Sequence, residues 1–301
     1  MIPFTKITLY RCISLPCQLS EQACENVNSP PKLTGKSLKI IVCIKQVPKA
    51  QEIQIDPVTQ TLKRVGVPSE INPPDRNALE MALQLRAKHG GSITVLTMGP
   101  PVFNESLERA LAMGIDSAVL LSDRLLGGSD TVPTGIALSE AIHKIGKFDI
   151  ILCGEETTDS STGHVGPGIA GHLDIPQITY CIDVQVNNSR VQGKRAVEDG
   201  FEIWECPMPC LVTINFGCNK PREPTLLGKI KVKRGGLISQ WSASDIDLPA
   251  EKIGLKGSPT NVSRVDTVVL PTRGGKIFSG DPKKATRDLI EKMRTDKIPG
   301  V

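Results

Sequence analysis

Residues 148–168 read FDIILCGEETTDSSTGHVGPG, an apolar run followed at once by a polar loop and a cluster of glycines. A short run without polar alternation is typical of a strand that is buried on both faces of a parallel sheet. The glycines lead into a segment that we expect to be helical from about Gly166. The stretch therefore predicts a buried strand, a hydroxyl-rich loop at its carboxyl end and a following helix.

The same order of strand and helix recurs on the N-terminal side of this stretch. Apolar runs occupy residues 38–44, 92–98 and 117–122. The segments between them have the terminating residues and the apolar spacing of helices, at about 72–89, 104–113 and 134–145. Short apolar strands separated by helices predict the α/β class: a doubly wound, mostly parallel sheet with helices on both faces.

The chain changes character after this alternating region. The runs QITYCIDVQV, SRVQGKRAVEDG and PCLVTINFG follow Pro176 and predict strands joined by tight turns, an antiparallel addition to the sheet. We expect a polar hairpin at 53–68 within the first part of the fold. The predicted organisation is a disordered N-terminal extension at 1–36, an α/β domain at 37–235, and an extended C-terminal arm at 236–301 with a helix around Pro282 to Met293.

Composition excludes several classes of function. The 301 residues carry a net charge of +4 and only 3% aromatic residues, which argues against nucleic-acid binding, and no apolar run is long enough for a membrane span. The 9 cysteines indicate reduced thiols. Cys206 and Cys210 are not followed by the second pair of ligands that a zinc site needs. We expect a cytoplasmic protein, with the mitochondrial matrix as the alternative because the first 20 residues lack acidic side chains.

Four unusual loops follow predicted strands: KQVPKA, MGPP, SDRLLGGSDT and GEETTDSSTGHVGPG. The carboxyl ends of parallel strands are the edge at which doubly wound sheets bind ligands. The last loop offers hydroxyls, backbone N–H groups and a helix N-terminus to an anion, so phosphate is the predicted ligand. The alternative is that its hydroxyls only cap the helix. Because no Rossmann, P-loop or nucleophile-elbow signature is present, we name no catalytic residue.

Taken together, these motifs resemble the β-subunit family of the electron-transfer flavoproteins. The resemblance runs from about Leu38 to the last helix and includes KIIVCIKQVP, INPPDRNALEMAL, MGPP, RALAMGID, DRLLGGSDT, NKPREPT and the long glycine-rich loop. It also covers Gly193–Thr213, where Trp204 replaces the aliphatic residue that the family prefers. The family forms αβ heterodimers that carry electrons between flavoenzymes.

The resemblance implies an adenine-nucleotide site, which ordinary members of the family fill with AMP. The positions that match this site are Cys43, Asn72, Pro73, Pro74, Asp75, Met98, Gly99, Gly154, Thr157, Thr158, Asp159, Ser160, Ser161, Thr162, Gly163, His164 and Val165.

Some members instead bind a second FAD in this subunit and bifurcate electrons from NADH, and these carry a loop similar to residues 123–131. The matching residues are Asp123, Arg124, Asp130 and Thr131. Departures at Leu126, Ser160 and His164 leave FAD and AMP both open, and the added loop favours FAD. The alternative for Asp123 and Arg124 is a surface ion pair or a helix cap.

The resemblance also implies partners: an α subunit clasped by the arm, a flavin-dependent or acyl-CoA dehydrogenase or reductase, and NADH in a bifurcating complex, which alone would give the chain an enzymatic role. Leu226 matches the leucine with which the family docks onto dehydrogenases, although local core is the alternative. The basic run KIKVKRGG follows it. A different reading of the chain is a stand-alone adenine-nucleotide-binding stress-type sensor, which would need neither the arm nor the 193–213 signature.

Overall fold

A computed structural model describes residues 37–49, 68–246, 248–261 and 275–298. The chain divides into two units between Ser263 and Arg264. The predicted N-terminal extension and nearly all of the predicted hairpin at 53–68 lie outside the described residues. The structural division falls after the predicted boundary at 235, because residues 238–241 form a strand of the main sheet.

The described strands are β1 Leu38–Cys43, β2 Gln46–Pro48, β3 Ser69–Ile71, β4 Gly91–Met98, β5 Ser117–Leu121, β6 Ile150–Gly154, β7 Gln177–Asn187, β8 Arg190–Val197, β9 Gly200–Pro207, β10 Cys210–Ile214 and β11 Ile238–Trp241. The helices are α1 Pro73–His89, α2 Asn104–Ala112, α3 Thr131–Ile145, α4 Val165–His172, α5 Leu226–Lys233, α6 Gly254–Gly257 and α7 Pro282–Thr295. Short 3₁₀ turns lie between several of them.

Nine strands form one sheet in the order β11-β5-β4-β1-β6-β10-β7-β8-β9, and β2 pairs with β3 in a separate ribbon. The pairs from β11 to β7 are parallel, and only β7-β8 and β8-β9 are antiparallel. From β1 the chain builds toward β4 and β5 on one side and returns to β6 on the other. This arrangement confirms the predicted doubly wound, mostly parallel α/β fold, and it places the topological switch point between β1 and β6.

The prediction for residues 209–217 was wrong in one respect, because β10 is not part of the antiparallel addition. It lies between β6 and β7 and pairs parallel with both. All five of its residues are buried. A run that is buried throughout suits a central strand covered on both faces, whereas the alternating burial along β7 suits its position near the antiparallel end.

The core consists of two apolar layers on opposite faces of the sheet. Ile40 and Val42 of β1 pack in the layer that contains α1 and α2, and their neighbours Ile41 and Cys43 pack in the layer with α3 and α4. Each fully buried aliphatic side chain of this kind contributes about 1.5–3 kcal/mol. The central strands therefore carry apolar residues on both faces, which is the pattern that the sequence displays.

Within the segment predicted as an arm, residues 238–241 form the edge strand β11 of the sheet. β11 pairs parallel with β5, and Ala118 N–H donates to Leu237 O at 2.8 Å. In the second unit, α7 begins after Asp281, whose carboxylate accepts the Lys284 N–H at 3.0 Å, and none of its residues is buried. No helix in the described part of the chain is both long and apolar enough to cross a membrane.

Candidate functional site

The candidate site is the crevice at the carboxyl ends of β1 and β6, which we define by Lys45, Asn72–Asp75 and Gly154–Val165. Doubly wound sheets bind ligands at such a switch point because the loops on its two sides diverge. Asn72 N–H donates to Lys45 O at 2.9 Å, so the start of α1 lies against the end of β1. Most of the residues predicted for the nucleotide site therefore meet in one place.

Asp75 ties the two sides of the crevice together. Its carboxylate is buried in the first turn of α1 and accepts two backbone N–H groups, from Lys45 at 2.7 Å and from Gly154 at 3.0 Å. Burial raises the pKa of Asp75 to about 7, although the hydrogen bonds from Lys45 and Gly154 act in the opposite direction. The Asp75 side chain therefore holds the two loops together and does not project toward a ligand.

Asn72 fastens the start of the hydroxyl-rich loop to α1. Its side chain is fully buried, its amide donates to Glu156 O at 2.8 Å, and its amide oxygen accepts the Thr158 N–H at 3.1 Å. Pro73 and Pro74 occupy the first turn of the helix and fix its direction. The sequence places these residues at the site, but their bonds join segments far apart in the chain.

The hydroxyl-rich loop folds on itself and leaves donors exposed. Thr157 and Ser160 hydroxyls lie 2.8 Å apart, and the Ser161 N–H donates to Thr157 O at 2.7 Å. Ser161 and Gly163 both have positive φ, 47° and 63°. The exposed Thr162 hydroxyl has no partner within the described chain, and His164 gives α4 no side-chain cap. The loop hydroxyls therefore do not cap the helix, which was the alternative considered for them.

A salt bridge crosses the crevice. Lys45 Nζ lies 2.7 Å from Asp159 Oδ1, and the lysine side chain is 39% exposed against 12% for the aspartate. Burial raises the pKa of Asp159, but the hydrogen bond and charge of Lys45 outweigh burial and hold it below its usual value. Lys45 was not among the predicted site residues, although its position in KQVPKA after the first strand is a signal that would have found it.

The crevice is closely packed beneath its loops. A Cβ at Gly154 would lie 2.4 Å from Asp75 Oδ1 and 2.7 Å from Pro74 Cβ. Cys43 is buried below, and burial raises the pKa of its thiol to about 12, so it contributes packing and backbone rather than a reactive thiolate. Gly99 follows the half-buried Met98 of β4, and its N–H donates to Leu121 O at 3.0 Å. No cluster of three metal-ligating side chains occurs in the described ranges.

The loop at 123–131, after β5, uses its carboxylates differently. Asp123 accepts the Leu125 N–H at 2.9 Å and the Ala243 N–H at 3.0 Å. Asp130 caps α3 through the Val132 N–H at 2.9 Å and accepts the N–H and hydroxyl of Thr260 at 3.0 and 2.8 Å.

Among the described residues, the exposed Arg124 forms no ion pair, so the structure contains the cap considered for Asp123 and not the surface pair with Arg124. Thr131 is the first residue of α3. Two strands, β4 and β1, separate this loop from β6, and neighbouring strands are about 4.8 Å apart. The four residues are therefore grouped at their own strand end and not inside the crevice.

Leu226 begins α5 and is 74% exposed, and Leu227 beside it is 79% exposed. Thr225 caps the helix by accepting the Gly228 N–H at 2.9 Å, and no residue of the helix is buried. The alternative that Leu226 belongs to a local core does not hold. The structure instead presents two leucines beside a basic helix surface.

The segment before α5 is firmly held on α1. Arg222 forms a two-pronged salt bridge with Glu80 at 2.8 and 2.9 Å, and Glu223 pairs with Arg76 at 2.7 Å and Arg109 at 3.3 Å. These contacts join residues 114 to 147 positions apart in the chain, which is why the sequence did not reveal them. One helix therefore carries both a wall of the crevice and the support of the exposed leucines.

Comparison with known proteins gives consistent matches. The family model described as "Electron transfer flavoprotein domain" matches residues 59–245. The chain is 45% identical to the electron transfer flavoprotein subunit beta of Thermoanaerobacterium thermosaccharolyticum, over 87% of this chain and 100% of that protein. It is 45% identical to Protein FixA of Sinorhizobium fredii, over 86% and 93% of the two chains. It is 42% identical to caffeyl-CoA reductase-Etf complex subunit CarD of Acetobacterium woodii, over 87% and 100%.

Proposed function

The chain belongs to the electron transfer flavoprotein family, and we propose that it acts as the β subunit of a heterodimer that passes electrons between flavin-dependent enzymes. The single observation that carries the proposal is the crevice at β1 and β6. There Asp75 and Asn72 fix two loops around exposed hydroxyls and an uncapped helix. These features suit the phosphate of a nucleotide.

We propose that the crevice holds the adenine nucleotide. Backbone N–H groups at the start of α4 and the hydroxyls of Ser161 and Thr162 would bind the phosphate. Asn72 and Asp75 would keep the loops in position from below. A carrier of this kind needs no general acid or base, because a bound flavin supplies the electron-transfer chemistry and the protein supplies binding and orientation.

For the nucleotide itself we favour FAD, as a second flavin, over AMP. The support is the loop at 123–131 and the similarity to CarD, whose name associates it with a reductase complex. Because Asp123 and Asp130 already bind the chain's own backbone, contacts to the larger ligand would come from Arg124 and the Thr131 hydroxyl. NADH-linked bifurcation depends on this second FAD.

The remaining assignments concern partners. We propose that Leu226 docks onto a flavin-dependent or acyl-CoA dehydrogenase or reductase, since an exposed apolar anchor with a basic surround is typical of an interaction hot spot. Residues 236–301 would clasp the α subunit, with 243–260 held to the β5 loop by Asp123 and Asp130. We place the heterodimer in the cytoplasm, as the bacterial relatives suggest.

The test is to co-express the chain with its α subunit, denature the purified complex, and count the nucleotides released per heterodimer. Two FAD and no AMP would support the second-flavin assignment. One FAD and one AMP would support an ordinary single-flavin carrier and leave the loop at 123–131 as structure. A chain that binds adenine nucleotide but no α subunit would favour the stand-alone sensor instead.

A further inference from the structure

The backbone of Lys45 is fixed by hydrogen bonds on both sides of its Cα atom. Its N–H donates to Asp75 at 2.7 Å, and its carbonyl accepts the Asn72 N–H at 2.9 Å. The Cα therefore stays at the end of β1, directly at the switch point, and the side chain spans the crevice to Asp159. A lysine held in this way reaches its target with less loss of backbone entropy than one on a free loop.

The amine of Lys45 has capacity for a second partner. An ammonium group carries three donors, and the structure gives this one a single hydrogen bond, at 2.7 Å to Asp159. The lysine side chain is 39% exposed, while the aspartate beneath it is 12% exposed. The unused donors are consequently accessible from solvent at the crevice.

The loop after β6 is too acidic to attract phosphate unaided. Glu155 accepts the Asn215 amide at 2.6 Å and the Phe216 N–H at 2.9 Å, so its charge is engaged with the segment after β10. The charge of Asp159 is matched by Lys45. Without that lysine, an anion in the crevice would meet an uncompensated carboxylate, and like charges at such range repel.

We propose that Lys45 binds the phosphate of the adenine nucleotide, and that Asp159 is a positioning residue that holds the amine across the crevice. The inference rests on the proposed nucleotide site and adds to it a ligand-binding residue and its support. The chemical group recognised is a phosphate ester attached to adenosine. A nucleoside without phosphate gains nothing from Lys45.

The test compares ligands that differ only in phosphate. Heterodimer stripped of bound nucleotide is titrated calorimetrically with adenosine, AMP and ADP. Lys45→Met keeps the unbranched apolar stem of the side chain and removes its charged amine, Lys45→Arg keeps the charge, and Lys39→Met is the matched control at the exposed opposite end of β1. Because a hydrogen bond to a charged group contributes about 1.5–3 kcal/mol, Lys45→Met should weaken AMP and ADP about 10- to 150-fold.

Adenosine should bind Lys45→Met as tightly as wild type, Lys45→Arg should lose less AMP affinity than Lys45→Met because it keeps the positive charge, and Lys39→Met should match wild type. Equal losses for adenosine and AMP would assign Lys45 to the fold and overturn its role in phosphate binding. Unchanged AMP affinity would overturn it as well. Failure of wild type to bind even adenosine would instead remove the nucleotide site on which the inference rests.

Asp159→Asn separates positioning from direct binding. If Asp159 directs the amine toward the phosphate, the variant keeps its adenosine affinity and binds AMP more weakly than wild type, and unchanged AMP affinity would overturn the positioning role. In the Lys45→Met background there is no amine to direct, so Asp159→Asn should not weaken AMP binding and only removes a negative charge near the phosphate. Weaker adenosine binding would assign Asp159 to the nucleoside and overturn its positioning role.

Discussion

The crevice and the loop at 123–131 are built from the same residue types at the same edge of the sheet, yet they are held together in different ways. In the crevice a buried carboxylate, Asp75, bonds two loops from below and leaves hydroxyls and N–H groups exposed. In the loop after β5, Asp123 and Asp130 bond the chain's own helix starts and the segment 243–260. The contrast means that acidic, glycine-rich loops at strand ends are distinguished by where their carboxylates lie, not by their composition.

Asp75→Asn should have the largest effect on stability, because it breaks the bond between the two sides of the crevice. The asparagine amide group would face one of the two N–H donors and leave it buried and unpaired, which costs about 1–3 kcal/mol. Chemical denaturation at pH 5 would measure the loss. A cost under about 0.5 kcal/mol would mean that Asp75 does not hold the loops.

The pH dependence sharpens this prediction. The pKa of Asp75 is raised from 3.8 to about 7 in the fold, so the folded state binds a proton that the unfolded state has released within that window. The contribution of Asp75 to the free energy of unfolding is fully present below the pKa of this group in the unfolded chain, and it is lost as the pH rises through 7. The stability advantage of wild type over Asp75→Asn should therefore shrink between pH 4.5 and 7.5. An advantage that grows over this range would contradict the raised pKa.

Gly154→Ala should have the next largest effect. Its Cβ would lie 2.4 Å from Asp75 Oδ1 and 2.9 Å from the Asp75 backbone nitrogen, so α1 or β6 must shift. Overpacking of this kind costs about 1–3 kcal/mol. Thermal melting would measure the change, with Gly168→Ala as the matched control, since a Cβ there meets nothing within 4 Å. Equal melting temperatures for both variants would show that the crevice is looser than its contacts indicate.

The sequence predicted the fold and the location of the site better than the bonds within it. Apolar strands and capped helices are local patterns, so the parallel sheet and the loops at its edge could be predicted. The parallel position of β10 was missed even though its short, largely apolar run is the signal for a central strand. The bonds of Asp75, Asn72 and Lys45 join segments 27 to 114 residues apart, and no local pattern encodes such pairs.

Asp130→Ala should have a smaller and more local effect. Loss of an N-cap costs about 1 kcal/mol, and the Thr260 N–H and hydroxyl lose their acceptor at the same time. Hydrogen exchange should therefore speed up at residues 254–261 and at the first turn of α3, while the crevice loops keep their protection. Asp123→Ala is the companion variant and should release the chain near Ala243 instead. Faster exchange in the crevice would mean that the two regions are not independent.

Arg124→Ala should have the smallest effect on stability, because the exposed guanidinium has no ion pair within the described chain. Surface substitutions of this kind change the free energy of unfolding by less than about 0.5 kcal/mol. If the loop contacts a second flavin, the variant heterodimer should lose FAD relative to wild type, whereas a site that takes only AMP should keep its full nucleotide content. Lys147→Ala is the control for loss of a surface charge. If the wild type carries two FAD and the variant carries as many, the loop does not take part in flavin binding, and its carboxylates only hold α3 and the backbone at Ala243.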